Sequence, residues 1–390
     1  MTANKTSAAV VRAGAPARAL PRDRRALKMA RSPVVRAFAP VAVLVFLAGC
    51  SSLPAFRSVP CTGAEPARVV VSPAGESSIT LDVLTYNIEG LQWPARSGRA
   101  RSLRAIGAKL RALRAAGDAP DVVLFQEVFS PAAVRSVVDT GYPSIASGPS
   151  RRRRSVYSID AALPGRPRPT KGEQGLRLMT SGLVIASRYP ITQTVSDAYS
   201  RKACAGFDCL SNKGVVLATV AIPGVPEPIA LANTHMNARA ASRVAPGRNL
   251  AAHRAQALEL EAFLADRPAP DSPIILGGDF NMRGSPERFI EFRQSNPLEL
   301  VHEYCSAEAK CDVRLSWDGD APWLDTQDLQ FFASGSRVRV APIRVQAMFD
   351  GSPGSPKLSD HDGFRVLYRL SWSGGTASAG DADMLCRPGR

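Results

Sequence analysis

Apolar and polar residues alternate from Ile79 to Tyr86, as the two faces of a half-buried strand require, and the run stops at Asn87. From Arg99 to Ala116 the period changes. Leu103, Ile106, Leu110 and Leu113 return every three or four positions with Arg and Lys between them, which predicts an amphipathic helix, and Gly117 suits its C-terminal stop. Asp121-Val122-Val123-Leu124-Phe125 reads as a buried strand leading into Gln126-Glu127, and Pro131 to Val138 as a second helix. Further strands are expected at 182–187, 215–221 and 229–233, the last running into Thr234-His235. A helix over 250–264 places Leu250, Ala257, Leu260 and Leu264 on one face. The apolar run from Pro273 to Gly278 contains a strand at 274–276 and ends in Asp279-Phe280-Asn281, and Ser285-Pro286-Glu287 then starts a helix with Pro in its first turn. Strands at 329–332, 337–348 and 364–372 complete the set. Arg337, Arg339 and Arg344 interleave with Val338, Val340 and Val345 there, which suggests an antiparallel pair.

Strands outnumber helices, helices fall between groups of strands, and no repeat is visible. That order fits a two-layer sheet core flanked by helices, an α/β (α+β) arrangement. A chain of 390 residues could hold two average domains, but its composition breaks sharply only near the N-terminus, so one globular domain over 78–390 is expected. With 45% hydrophobic and 21% charged residues the chain has ample material for a core, which excludes a disordered or wholly membrane-spanning protein. Residues 149–177 carry Arg151 to Arg154, several Pro and Gly and no sustained period, and read as a long surface loop.

The N-terminal stretch has a different character. Nine basic residues face the single acid Asp23 in the first fifty, +8 of the formal +15, which leaves +7 for the remainder. The apolar run from Ala37 to Leu47 is short for a transmembrane helix and leads into Leu47-Ala48-Gly49-Cys50, which looks like a bacterial lipobox. Residues 1–49 are therefore expected to be a signal peptide, with Met29 as an alternative start, and Cys50 the site of lipid attachment. An uncleaved hydrophobic anchor is the competing reading. Ser51 after the lipidated Cys favours the outer membrane, and the Pro-, Ala- and Ser-rich residues 50–77 form a tether. Of seven Cys, setting Cys50 aside leaves six, an even number suited to an oxidising compartment. Cys204 with Cys209 and Cys305 with Cys311 would close small loops, and Cys61 with Cys386 would tie the ends of the domain; a zinc site is the alternative.

Asn87, Glu127, Asp279, Asn281 and Asp360 come directly after apolar strands or at strand starts, where polar side chains reach the rim of a sheet. Each alone could be a turn residue. Five of them together with two His form an oxygen-rich set without thiolates, which favours Mg²⁺, with Mn²⁺ as the alternative. A hard cation beside an imidazole suits attack of water on a phosphodiester. Asn212-Lys213-Gly214 either brings a cation to a phosphate or forms a turn, and His253 and His302 read as surface or structural residues.

Six segments resemble the endonuclease/exonuclease/phosphatase superfamily in order: 84–87 (LTYN), 123–127 (VLFQE), 182–187 (GLVIAS), 233–235 (NTH), 278–281 (GDFN) and 359–361 (SDH). The resemblance implies a four-layer α/β/β/α sandwich with two packed mixed sheets. It implies Glu127 as principal metal ligand with Asn87 and Asp360 beside it, His235 and Asn281 on the scissile phosphate, and Asp279 on the attacking water. His361 would be a second base or phosphate-stabilising group buttressed by Asp328. Which of Asp279 and His361 accepts the proton stays open.

The segment 209–214 (CLSNKG) looks like the bacterial sphingomyelinases within this superfamily, so a phospholipase C-like activity on phospholipid is the leading expectation. An extracytoplasmic endonuclease or exonuclease on DNA or RNA is the alternative, favoured by the positive charge. An inositol-phosphate phosphomonoesterase and a non-catalytic binding lipoprotein are weaker readings. The expected contacts are the phosphodiester and, through the lipid, a membrane, with no protein partner inferred.

Overall fold

The alternating stretch before Asn87 becomes β2 (Glu76–Asn87), at the middle of an eight-stranded sheet. The computed structural model describes residues 56–60, 67–159, 162–307, 310–314 and 327–373, all within a unit spanning 47–390. Cys50, the 1–49 leader and the expected Cys61–Cys386 pair lie outside the described residues. Among the described residues no helix is long and apolar enough to cross a membrane.

The first sheet also contains β1 (Val70–Val71), β3 (Val122–Gln126), β4 (Ser144–Ser147), β5 (Val184–Ser187), β11 (Asp312–Arg314), β13 (Arg339–Met348) and β14 (Gly363–Ser373). Its order is β11-β13-β14-β2-β3-β5-β4, with β1 paired to the start of β2. The second sheet is formed by β6 (Ile191–Ala198), β7 (Gly214–Val220), β8 (Ile229–His235), β9 (Ile274–Asp279), β10 (Glu299–Leu300) and β12 (Asp328–Ala333), in the order β10-β12-β9-β8-β7-β6. Both sheets are mixed: β2/β3 and β8/β9 run parallel, whereas β13/β14 form the antiparallel pair expected from the Arg/Val alternation.

Three apolar clusters separate four layers. Leu81, Val83, Leu124 and Ile185 of one sheet meet Val216, Leu231, Ile275 and Phe332 of the other. Outside the first sheet, Leu84, Tyr86, Val123 and Phe125 pack on α1 (Arg99–Ala115) and α2 (Pro131–Asp139) through Leu103, Ile106, Leu110 and Val137. Outside the second, Leu217, Leu276 and Phe331 pack on α3 (Pro246–Ala265) and α4 (Pro286–Ser295) through Leu260, Phe263 and Phe292. A short α5 (Val301–Ser306) follows β10. The chain therefore has the expected α/β/β/α sandwich.

Local chemistry explains the helix ends. Gly117 takes a left-handed φ of 74°, and Asp118 N–H bonds Leu113 O at 2.9 Å, so the chain turns out of α1 where the sequence placed its stop. Ser130 caps α2, its Oγ accepting from Ala133 N–H at 3.2 Å, with Pro131 at the first helical position.

Polar residues also bind the two sheets together. Gln126 Nε2 donates to Asn233 Oδ1 (2.7 Å), Asn233 Nδ2 donates to Phe125 O and Val184 O, and Gln330 Nε2 donates to Val83 O and Phe364 O. Such buried amides are satisfied only in one alignment of the sheets, so they fix register as well as adding cohesion. Gly278 lets β9 approach β8, since a Cβ there would lie 2.2 Å from Thr234 O. Gly278→Ala should separate the two strands next to His235 and Asp279, destabilising the fold by about 1–3 kcal/mol. A denaturation midpoint equal to that of the natural chain would disprove this close packing.

Several expectations need correction. β6, a half-exposed edge strand, and the four-residue β4 were not anticipated, because neither has a clean apolar period. The described part of 149–177 contains one 3-10 turn, Pro169–Lys171, but it is not simply a surface loop. Glu173 is buried in a two-point ion pair with Arg248 (3.0 and 2.8 Å), and Asn212 Nδ2 donates to Ser150 O (2.7 Å) and Arg153 O (2.9 Å). The Cys204–Cys209 and Cys305–Cys311 disulfides are both present, as expected.

His253 and His302 are core residues, not surface ones. His253 Nε2 lies 2.8 Å from Phe280 O, and His302 stacks on Phe364 at 4.6 Å. Burial pushes each down to about 3, helped in His253 by the Arg288 charge. Below the ordinary value of 6.5 the unfolded chain then binds protons that the folded chain does not. Stability should fall as pH drops from 6.5 towards 3, by roughly 1.4 kcal/mol per pH unit for each histidine. Denaturant titrations at successive pH values check this: His302→Phe should lose less on acidification, and identical acid profiles would refute the assignment.

Candidate active site

The strand register that fills the core also builds the site. In β2, Ile79, Leu81 and Val83 face the second sheet, and Asn87 continues that parity. Ile229 and Leu231 lead in the same way to His235, Ile275 leads to Asp279, and Phe332 leads back to Asp328. Pairing aligns them: His235 lies beside Asp279 across parallel β8/β9, and Asp328 beside Asp279 across antiparallel β12/β9. The inter-sheet layer thus changes along its length from aliphatic side chains, through the Gln126, Asn233 and Gln330 amides, to ionisable groups at one end.

These groups converge on one oxygen. Asp279 Oδ2 receives Asn87 Nδ2 at 2.9 Å and lies 3.2 Å from His235 Nε2 and 3.8 Å from His361 Nε2. Its other oxygen accepts Asn281 N–H at 3.0 Å. Asn87 Nδ2 also reaches Glu127 Oε1 at 3.2 Å, so one amide links Glu127 to Asp279. Asp328 Oδ2 stands 2.6 Å behind His361 Nδ1, and Gln327 Nε2 lies 3.3 Å from His361 Nε2. Asn281 Nδ2 is tied to Met236 O at 3.1 Å.

Charge follows from this geometry. Burial opposes ionisation of Asp279, but His235, His361 and Lys213 around it outweigh burial and hold its carboxyl well below the usual carboxylate range. Burial likewise opposes the imidazolium of His361, and Asp328 and Asp279 overcome it, lifting the ring to about 10. Burial raises the Asp328 carboxyl, while its contact with His361 pulls the other way. The resulting state is an ionised Asp279 facing a protonated His361.

Asp360 is placed differently from Asn87 and Glu127. Its Oδ2 lies 3.2 Å from Arg96 Nη2, and its N–H donates to Glu89 Oε2 at 3.2 Å. Ser359 Oγ donates to Asn87 O at 2.7 Å, which ties this segment to the end of β2. Glu127, Asn281 and Glu89 all have left-handed backbones, with φ of 60°, 53° and 50°. Such conformations in non-glycine residues persist where the surroundings enforce them, and here all three surround the polar end of the sandwich.

Lys213 joins the site although the superfamily resemblance implies no role for it. Its Nζ lies 2.9 Å from His235 Nε2 and donates to Asp208 Oδ2 (3.0 Å) and Met236 O (2.9 Å). Asn212-Lys213-Gly214 is thus the entry to β7 with its lysine turned into the site, and the signal was a lone lysine held against an apolar strand. Glu89 and Gln327 carried no signal of their own beyond nearness to Asn87 and Asp328.

Among the described residues no three His, Cys, Asp or Glu side chains converge as a preformed metal cage. The available donors are hard oxygens: the part-exposed Glu127 carboxylate, the Asn87 amide and, at the rim, Asp360. The four described thiols are in disulfides. One or two carboxylates with water and substrate oxygens completing the shell is the manner in which Mg²⁺ is commonly bound, so the donor set fits that ion.

Residues 84–361 match the Endonuclease/Exonuclease/phosphatase family, and the chain belongs to it. Members of this family are hydrolases acting on phosphoester bonds. A search of curated proteins returned no match. Among solved structures, beta toxin from Staphylococcus aureus is similar at 18% identity and a TM-score of 0.51, covering 75% of this chain and 100% of the toxin chain. A double mutant of that toxin with bound magnesium ions matches at 18% identity and a TM-score of 0.50, covering 75% and 99%. Sphingomyelinase C from Streptomyces griseocarneus gives 20% identity and a TM-score of 0.50, covering 74% and 99%. At these identities the likeness establishes the shared fold.

Proposed function

We propose that this chain is a Mg²⁺-dependent phosphodiesterase acting on phospholipid in the manner of a phospholipase C or sphingomyelinase, with Mn²⁺ as the alternative ion. The observation that carries the reading is the convergence of Asn87, His235 and His361 on Asp279 Oδ2, with Glu127 at one end and Asp328 at the other. Glu127 and Asn87, with Asp360, would hold the ion. When bound, it supplies charge neutralisation at the phosphoryl oxygens.

The remaining chemistry belongs to the side chains. Asp279, ionised and fixed by three donors, orients a water and accepts its proton as the water oxygen forms its bond to phosphorus. The bond to the departing alkoxide oxygen breaks on the opposite side. His361, cationic and braced by Asp328, and His235 beside Lys213 donate to phosphoryl oxygens as negative charge grows there. Asn281 is held by Met236 O with a second amide hydrogen left for substrate.

The phospholipid assignment is supported by the sphingomyelinase-like segment 209–214, whose Lys213 lies against His235, and by the name of one structural relative, Sphingomyelinase C from Streptomyces griseocarneus. Lipid attachment at Cys50, a 50–77 tether and outer-membrane residence belong to the same proposal, because they would keep the catalytic unit beside its substrate. Recovery of a Cys50→Ser protein still in the membrane fraction would remove the anchor. Sphingomyelin vesicles, plasmid DNA and a chromogenic phosphodiester, each with Mg²⁺, Mn²⁺ or chelator, test the substrate. Release of phosphorylated headgroup that chelator abolishes is expected; cleavage of DNA with lipid untouched would make the enzyme a nuclease.

A further inference from the structure

Residues 166–178, 201–211 and 239–243 are stitched into one ledge beside the Lys213 and His235 side of the site. Arg201 Nη1 donates to Gly175 O (2.8 Å), Phe207 N–H to Ser242 O (3.1 Å), Gly206 N–H to Glu173 Oε1 (2.9 Å), and Lys171 Nζ to Arg243 O. The Arg243 guanidinium stands 5.9 Å from the centre of the Phe207 ring. The Cys204–Cys209 disulfide closes the middle segment, and Asp208 within it holds Lys213 against His235.

Apolar side chains protrude from this ledge. Leu176 is 79% exposed, Leu178 48% and Phe207 37%, next to a backbone otherwise fastened down by hydrogen bonds. A rigid platform that keeps two leucines and a phenylalanine in water without burying them against the fold has surface suited to a partner.

The charge on the same ledge has one sign. Arg166, Arg168, Arg201, Lys202, Arg239 and Arg243 are exposed. The acids in the three segments are Glu173 and Asp208, and both are turned inward, Glu173 onto Arg248 (2.8 Å) and Asp208 onto Lys213 (3.0 Å). What remains facing solvent is cationic with apolar tips, the composition of a surface that binds anionic lipid headgroups and dips into the acyl boundary. Nucleic acid would meet the same cations, but two of the three apolar tips are aliphatic leucines that offer its bases nothing to stack on, and the third, Phe207, already has the Arg243 guanidinium 5.9 Å from its ring centre.

We propose that this ledge docks the protein on an anionic phospholipid bilayer, with Leu176, Leu178 and Phe207 entering the interface and the surrounding cations on lipid phosphates. The proposal rests on the phospholipid reading of the site and extends it to a surface outside the catalytic groups. It explains how a substrate headgroup reaches Asp279: binding by the ledge brings the bilayer plane to the Lys213 side of the site.

The test uses unacylated residues 51–390, which include every described residue of the folded unit. Co-sedimentation is measured with vesicles of phosphatidylcholine and sphingomyelin and with vesicles of the same two lipids plus phosphatidylglycerol, and gel retardation with duplex DNA. Binding to the anionic vesicles should exceed that to the neutral ones by about tenfold or more and weaken with salt. Leu176→Asp and Lys202→Glu should each lower it about tenfold while turnover of a soluble phosphodiester stays unchanged. Equal vesicle binding by natural and substituted chains overturns the docking surface, and so does a loss confined to DNA. Lipid cleaved equally well by all three chains sinks the ledge and leaves the substrate reading standing. Vesicles bound through the ledge but never cleaved, with the soluble ester still hydrolysed, sink the substrate reading instead.

Discussion

Asp279→Asn is expected to lower turnover of a soluble phosphodiester by about 10²–10⁴-fold, the range associated with a positioned general base. The change keeps the size of the side chain and removes the charge on which His235, His361 and Asn87 all converge. An amide there must present either its oxygen or its nitrogen to these donors, and it cannot take a proton from water. The second expected effect is on His361. Asp279 is one of three carboxylates that lift this ring, so its titration observed by NMR should move down from about 10, with Asp328 still in place at 2.6 Å. A variant that keeps its activity, or one whose His361 titrates unchanged, would remove Asp279 from the centre of the mechanism. Melting temperature distinguishes lost chemistry from lost folding, since only the former is expected to be large.

Glu127→Gln is expected to abolish most activity and to raise the Mg²⁺ concentration needed for the remainder by about 100-fold or more, because even outer partners of a metal site commonly alter affinity by 10–100-fold. The measurement is activity against Mg²⁺ concentration, with calorimetric binding of Mg²⁺ alone as a readout independent of turnover. The backbone offers a second check. Glu127 holds a φ of 60°, a conformation that costs a non-glycine residue on the order of 1 kcal/mol and suits glycine. Glu127→Gly should therefore be inactive yet unfold no more easily than the natural chain. An unaltered metal requirement in Glu127→Gln would contradict its assignment as a ligand. A marked loss of stability in Glu127→Gly would instead show that this carboxylate is structural.

The apolar periods proved a good guide wherever a strand or helix has one buried face. The period-2 runs at β2, β13 and β14 and the period-3.6 run at α1 were readable because each buries alternate or stacked positions against a neighbouring layer. β6 was not readable: its sequence, Ile-Thr-Gln-Thr-Val-Ser-Asp-Ala, lies half-exposed at a sheet edge, where burial imposes little pattern. The excursion at 149–177 departs from a plain surface loop for a related reason. Its anchors, Glu173 on Arg248 and the backbone carbonyls on Asn212, are single polar contacts to distant residues, and no local period announces them.

The primary structure alone determined which polar residues stand at the ends of which apolar runs. Since side chains alternate strictly along a strand, Asn87, His235, Asp279 and Asp328 inherit the face of the core residues four positions away, Val83, Leu231, Ile275 and Phe332. It could not determine that these faces look at one another. That depends on which strands pair, on the parallel register of His235 with Asp279, and on the stacking of one sheet on the other, all of which rest on contacts between residues far apart in the chain. The tertiary structure likewise decided that Lys213 points inward and that Asp360 lies with Arg96. A turn and a rim have the same local composition wherever they lead, and only packing against distant segments gives a side chain its direction.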